Sequence, residues 1–186
     1  RYVVGWMVAT RECSTLAKQL IAETCTKHAI NAAQLTLHAD RGPSMTSKPL
    51  ALLLADLGVT KTHSRPYVSD DNPFSEAQFK TLKYRPDFPQ CFGSIADARA
   101  HCRAFFPWYN NTHRHSGIAF MTPEVVHYGR TAPVLATRAA TLDAAFAANP
   151  NRFKRQRPTP QQPPTAVWIN PPATPEAGQD EPSEQH

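Results

Sequence analysis

No two cysteines of the chain are spaced C-x-x-C: Cys13, Cys25, Cys91 and Cys102 stand far apart. That excludes the zinc-knuckle and dithiol-redox patterns and leaves reduced thiols as the expectation. His101 beside Cys102, and His113 near His115, are the remaining candidate ligands for a structural zinc, and neither pair has the usual ligand spacing. No apolar run approaches the roughly 20 residues that cross a bilayer, and no signal peptide opens the chain. The expectation is a cytoplasmic protein without a membrane partner.

What is present fits one catalytic-sized unit. The 186 residues suffice for a single α/β domain with tails. Twenty Lys and Arg against fifteen Asp and Glu leave a formal charge of +5, which suits a polyanionic partner without requiring one.

Residues 2–8, YVVGWMV, carry the Val, Tyr and Trp enrichment of a strand. Because Arg1 already stands in this β-branched run, the strand is expected to be cut off from a preceding segment. Ser14 reads as the cap of a helix to about His28, with Leu16, Leu20 and Ile21 on one stripe. LTLHAD at 35–40 predicts a short strand that runs into a turn at Asp40, Arg41 and Gly42. Leu50, Leu53, Leu54 and Leu57 repeat at helical spacing, with Gly58 at the C′ position, and VTKTHS at 59–64 predicts the next strand. This order of strands and helices predicts an α/β sheet with helices packed on it.

A helix follows the loop RPYVSDDNP, and Asn72 or Asp71 is its expected cap. The next helix opens on Ser94 and Asp97, a capping-box pair, and carries the stripe Ile95, Ala98, Cys102, Phe105 and Tyr109. Pro107 interrupts that stripe and predicts a kink or an early end. TPEVVHYG at 122–129 has Thr122 as N-cap, Pro123 at the first helical position and Gly129 as its stop. An alanine-rich helix is predicted from about Pro133 to Ala148.

Nine of the eighteen prolines fall in residues 150–186, which predicts a mostly disordered tail. Arg152, Lys154, Arg155 and Arg157 cluster at its start, either as a DNA-backbone contact or as a solvated tail. AVWINPP at 166–172 is a candidate arm for docking on the domain.

Two acids draw attention. Asp40 stands just beyond a predicted strand end, where α/β folds place ligands, although Asp-Arg-Gly is also ordinary turn chemistry. Glu76, Lys80 and Lys83 fall within an arc of about 60° on one helix, with Phe79 and Leu82 as the adjoining stripe expected to bury against the sheet. A metal-binding carboxylate beside two phosphate-binding ammonium groups is one reading, and a surface helix with an i, i+4 Glu–Lys pair is the other. Asp70 and Asp71 are rival acids, read as turn residues.

The combination is more specific than its parts. HADRG at 38–42, HSRPYVSDDNPFSEAQFKTLKYR at 63–85 and WYNNTHRHSGIAFMTPEVVHYG at 108–129, with thirty-five residues between Asp40 and Glu76, resemble the catalytic core of bacterial insertion-sequence transposases. These are DDE recombinases whose core is similar to retroviral integrase. The resemblance implies an RNase H-like integrase catalytic core over residues 1–130, truncated at its N-terminus. A C-terminal helix at 131–149 and the Pro-rich tail at 150–186 would follow.

It further implies an Mg2+- or Mn2+-dependent enzyme that cleaves transposon ends and joins them to target DNA. Such an enzyme self-associates on DNA and takes no small-molecule substrate. By motif, Asp40 matches the second catalytic Asp and Glu76 the catalytic Glu, both as metal ligands. Lys83 matches the basic position that holds terminal DNA, with Lys80 as a second contact. Tyr109, Asn110, Arg114 and His115 match a supporting region, in packing or in DNA contact.

The first catalytic Asp belongs on the first strand of such a core, and RYVVGW resembles the third. That Asp is expected roughly 15 to 30 residues before Arg1. Glu12 lies past the end of the third strand and is not expected to replace it. Without the first strand the sheet is expected to keep unpaired edges, and the chain alone to be inactive. The alternatives are a non-catalytic DNA-binding remnant or regulator, whose affinity would survive removal of Glu76 and of metal, and a nuclease that cuts without joining.

Overall fold

The computed structural model describes residues 1–30, 35–65, 73–153 and 156–168. Its elements run α1 (Ser14–Lys27), β1 (Thr36–Ala39), α2 (Lys48–Asp56), β2 (Thr60–His63), α3 (Pro73–Lys83), α4 (Ile95–Asn111), α5 (Pro123–His127) and α6 (Thr131–Ala148). The described residues therefore form a helix-rich α/β structure with a two-stranded sheet.

Strands β1 and β2 pair in parallel, Thr36 opposite Thr60 through Ala39 opposite His63. A parallel pair needs a crossover, and α2 supplies it. Leu50 and Leu54 of α2 are buried with Val59, and Ala17 and Ile21 of α1 and Leu37 of β1 pack on them. Burying each leucine contributes about 1.5–3 kcal/mol.

The end of α2 is set by Gly58. Its φ of +67° is the left-handed conformation that glycine adopts at no side-chain cost. The Gly58 N–H donates to the Ala55 carbonyl (3.0 Å) and the Val59 N–H to the Leu54 carbonyl (2.8 Å), the two bonds of a Schellman cap. Gly129, also at +67°, ends α5 in the same way, with Arg130 N–H on Val125 and Gly129 N–H on Val126. Thr122 caps the start of α5 by accepting the Val125 N–H, as predicted.

A second cluster gathers Cys102, Phe105, Phe106 and Tyr109 of α4 with Val3, Trp6, Val8, Leu82 and Trp108. Ser94 opens α4 by accepting the Asp97 N–H at 3.1 Å, while its hydroxyl donates to Asp97 Oδ2 at 2.9 Å.

Four expectations require correction. The strand predicted at 2–8 is not among the described strands; side chains from α4 and from the cap of α1 bond its backbone groups instead. Asn110 Nδ2 donates to the Val3 carbonyl, His28 Nε2 to that of Val4 and Arg99 Nε to that of Val8. Pro107 does not end α4, which continues to Asn111 with buried rings on both sides of the proline. Ser14 is the first residue of α1 rather than its cap, since Cys13 occupies that position without a side-chain bond. Phe79 does not bury against the sheet: it is 53% exposed, and α3 packs through Leu82 on the α4 cluster.

Within the tail, Arg157 pairs with Asp143 of α6 at 2.9 Å, and Phe153 lies against Phe146. The loop acids Asp70 and Asp71, Asn72, Lys154, Arg155 and residues 169–186 lie outside the described residues. No helix among the described residues is long and apolar enough to cross a membrane.

Candidate functional site

The parallel pair sets Asp40 immediately after β1. Asp40 is exposed, and its Oδ1 accepts the Gly42 N–H at 3.1 Å, an Asx turn. Across the sheet end, His63 Nδ1 donates to the Asp40 carbonyl at 2.9 Å and Arg41 Nε to the Ser64 carbonyl at 3.1 Å. These bonds fix the backbone of the turn and leave Asp40 Oδ2 without a partner among the described residues.

Glu12 enters the same neighbourhood. A methyl group at Gly42 would stand 3.1 Å from Asp40 Oδ1 and 3.5 Å from Glu12 Oε1, so the two carboxylates flank one glycine. Position along the chain gave no hint of this, because Glu12 lies between the 2–8 segment and α1 and only their packing brings it to the turn. Glu12 thus stands beside the Asp40 turn, though on no strand among the described residues.

Helix α3 carries the other group. Glu76, Lys80 and Lys83 are all exposed, and none makes a hydrogen bond or ion pair among the described residues. The i, i+4 Glu76–Lys80 pair is thus open, and its charges face solvent together. Asp40 follows β1, whose Leu37 packs on the Leu50 cluster, and Glu76 lies on α3, whose Leu82 packs on the α4 cluster. Among the described residues no group of three or more His, Cys, Asp or Glu is placed to hold a metal ion.

Of the supporting residues, Tyr109, Asn110 and His115 are occupied in the fold. Tyr109 is buried, its ring stacked on His113 at 5.3 Å, and burial pushes its hydroxyl pKa up. His115 Nδ1 accepts the Gly117 N–H at 3.0 Å and caps the 3-10 turn Ser116–Ile118. Burial holds its pKa below the ordinary histidine range, and Arg1 and His113 push the same way. The neutral ring this favours is the form that can accept from Gly117. Arg114 is exposed and makes no bond among the described residues.

Residues 57–123 match the integrase core domain family. The matched stretch holds β2, α3 and α4, and with them Glu76, Lys80, Lys83, Arg114 and His115; Asp40 precedes it. Over that stretch the chain is integrase-like, as the resemblance to the transposase and integrase core implied. No curated protein matches the chain. Among solved structures, a chain in the cryoEM structure of the simian T-cell lymphotropic virus intasome in complex with a PP2A regulatory subunit is 22% identical. That match covers 56% of this chain and 36% of the other, with a TM-score of 0.40.

Proposed function

We propose that the chain belongs to the machinery of DNA transposition, with Asp40 and Glu76 as two carboxylates of a DDE-type site acting on transposon ends and target DNA. The observation that carries this reading is the integrase core match over 57–123, within which Glu76, unpaired among the described residues, stands on the same face as Lys80 and Lys83. In kind, the exposed carboxylates suit a hard cation: among the described residues Asp40 keeps one oxygen free and Glu76 both. Bound Mg2+ or Mn2+ would activate the attacking oxygen and stabilise the leaving one. Lys80 and Lys83 hold phosphates of the terminal DNA beside Glu76, Arg114 adds a further contact, and copies of the protein associate on DNA.

The test is strand cleavage of DNA ends with Mg2+ or Mn2+, run beside a binding assay, in a protein that joins this chain to the first strand and Asp of such a core. Glu76→Gln should remove the product while leaving DNA affinity largely intact. Retained cleavage takes Glu76 out of the catalytic set. DNA binding without cleavage by that joined protein, indifferent to metal, favours the non-catalytic DNA-binding module, which lysines unpaired among the described residues would serve.

A further inference from the structure

The Glu76, Lys80 and Lys83 face extends past the end of α3 and is bordered by aromatic rings. The Tyr84 N–H donates to the Lys80 carbonyl at 3.0 Å, so the helical turn continues to Tyr84. At about 100° per residue the order around the helix is Phe79, Lys83, Glu76, Lys80, Tyr84, spanning an arc of about 140°. Both border residues face solvent, Phe79 at 53% exposure and Tyr84 at 83%.

Tyr84 is held outward by its neighbours. Leu82 packs into the α4 cluster on the opposite side of the helix. Arg85 is fixed twice, by Asp87 at 2.6 and 2.9 Å and by its guanidinium lying 3.9 Å over the Trp108 ring. The Tyr84 ring and hydroxyl have no partner among the described residues. An aromatic ring this exposed gains nothing from the core, yet the chain beside it is anchored at Leu82 and at Arg85.

Two ammonium groups, unpaired among the described residues and set between two exposed rings, match one polyanion in particular. Single-stranded DNA offers phosphates to the lysines and free base faces to the rings, whereas a duplex keeps its base faces stacked on one another and offers only phosphates. We infer that Tyr84 and Phe79 stack on unpaired bases, making this face of α3 selective for single-stranded DNA over duplex. The inference rests on the reading of this face as a DNA contact.

The test compares the affinity of the 186-residue chain for a labelled single-stranded oligonucleotide and for its duplex, by fluorescence anisotropy over a range of salt. The single strand should bind more tightly. Tyr84→Ala should weaken that binding by about ten-fold, as loss of one base stack does, with no change in the salt slope or in duplex affinity. Tyr84→Phe should restore it, since the ring and not the hydroxyl carries the stack. Phe79→Leu keeps an apolar residue against the helix and should show a similar loss. An unchanged far-UV circular dichroism spectrum confirms that each variant folds.

Equal affinity for strand and duplex overturns the inference, as does equal weakening of both by Tyr84→Ala, or a preference for single-stranded RNA of the same sequence. If neither form of DNA binds, the DNA reading of the face falls first. Binding without strand preference overturns only the stacking.

Discussion

Asn110 holds Val3 by both of its backbone groups, accepting the Val3 N–H at 2.9 Å and donating to the Val3 carbonyl at 3.0 Å, across 107 residues of sequence. A side-chain amide here does what a neighbouring strand would do for one residue. Asn110 is itself buried, so its loss leaves Val3 with two unpaired groups in a poorly hydrated place. Asn110→Ala should therefore cost about 2–3 kcal/mol. In urea unfolding this should appear as a lower midpoint with little change in slope. An unchanged midpoint would show that the 2–8 segment adds nothing to stability.

Gly58 predicts a smaller and different loss. A methyl group there would meet no atom within 4 Å, so any cost of Gly58→Ala comes from its φ of +67° rather than from a clash. Placing alanine in the left-handed region should destabilise by about 1–2 kcal/mol. Gly58→Asn should cost less, because asparagine tolerates that conformation. Equal losses for the two variants would reject backbone conformation as the cause.

What was legible in the sequence was mostly local. Gly58, Gly129, Ser94 and Thr122 each punctuate a helix through bonds to residues a few positions away, and each was readable from spacing alone. What was hidden depends on distant partners. Residues 2–8 have strand propensity, but their backbone is satisfied by Asn110, His28 and Arg99, side chains whose arrival no local pattern announces. At Pro107 the lost backbone bond competes with burial of Phe105, Phe106 and Tyr109 on either side, and burial prevails. The site divides along the same line. The α3 face was readable as a helical arc, whereas the approach of Glu12 to the Asp40 turn is a product of tertiary packing.

Lys83 separates electrostatic from catalytic effects. It is exposed and unpaired among the described residues, so Lys83→Ala breaks no bond of the described fold, and on the proposed function it removes one phosphate contact. DNA affinity should fall at low salt, and the slope of log affinity against log salt should shrink by about one. Asp40→Asn, by contrast, should leave that slope alone and remove strand cleavage. An unchanged slope for Lys83→Ala would reject its contact with phosphate.

His115 predicts how stability depends on pH. Its Nδ1 must be unprotonated to accept the Gly117 N–H, and burial already holds its pKa below the ordinary value of 6.5. On acidification the unfolded ring takes up a proton before the folded one does, so the unfolded state binds more protons and stability rises with pH across this window. The contribution is complete above about pH 6.5 and is lost as pH falls through the lower folded value. His113 is shifted the same way, first by burial and then by Arg85, so His115 needs a variant of its own. Asparagine at 115 offers a side-chain oxygen to the Gly117 N–H without a titrating ring. His115→Asn should therefore lower Tm less steeply than the unmodified protein between about pH 7 and pH 5. Parallel curves for the two proteins would show that protonation of this ring is not coupled to the turn it caps.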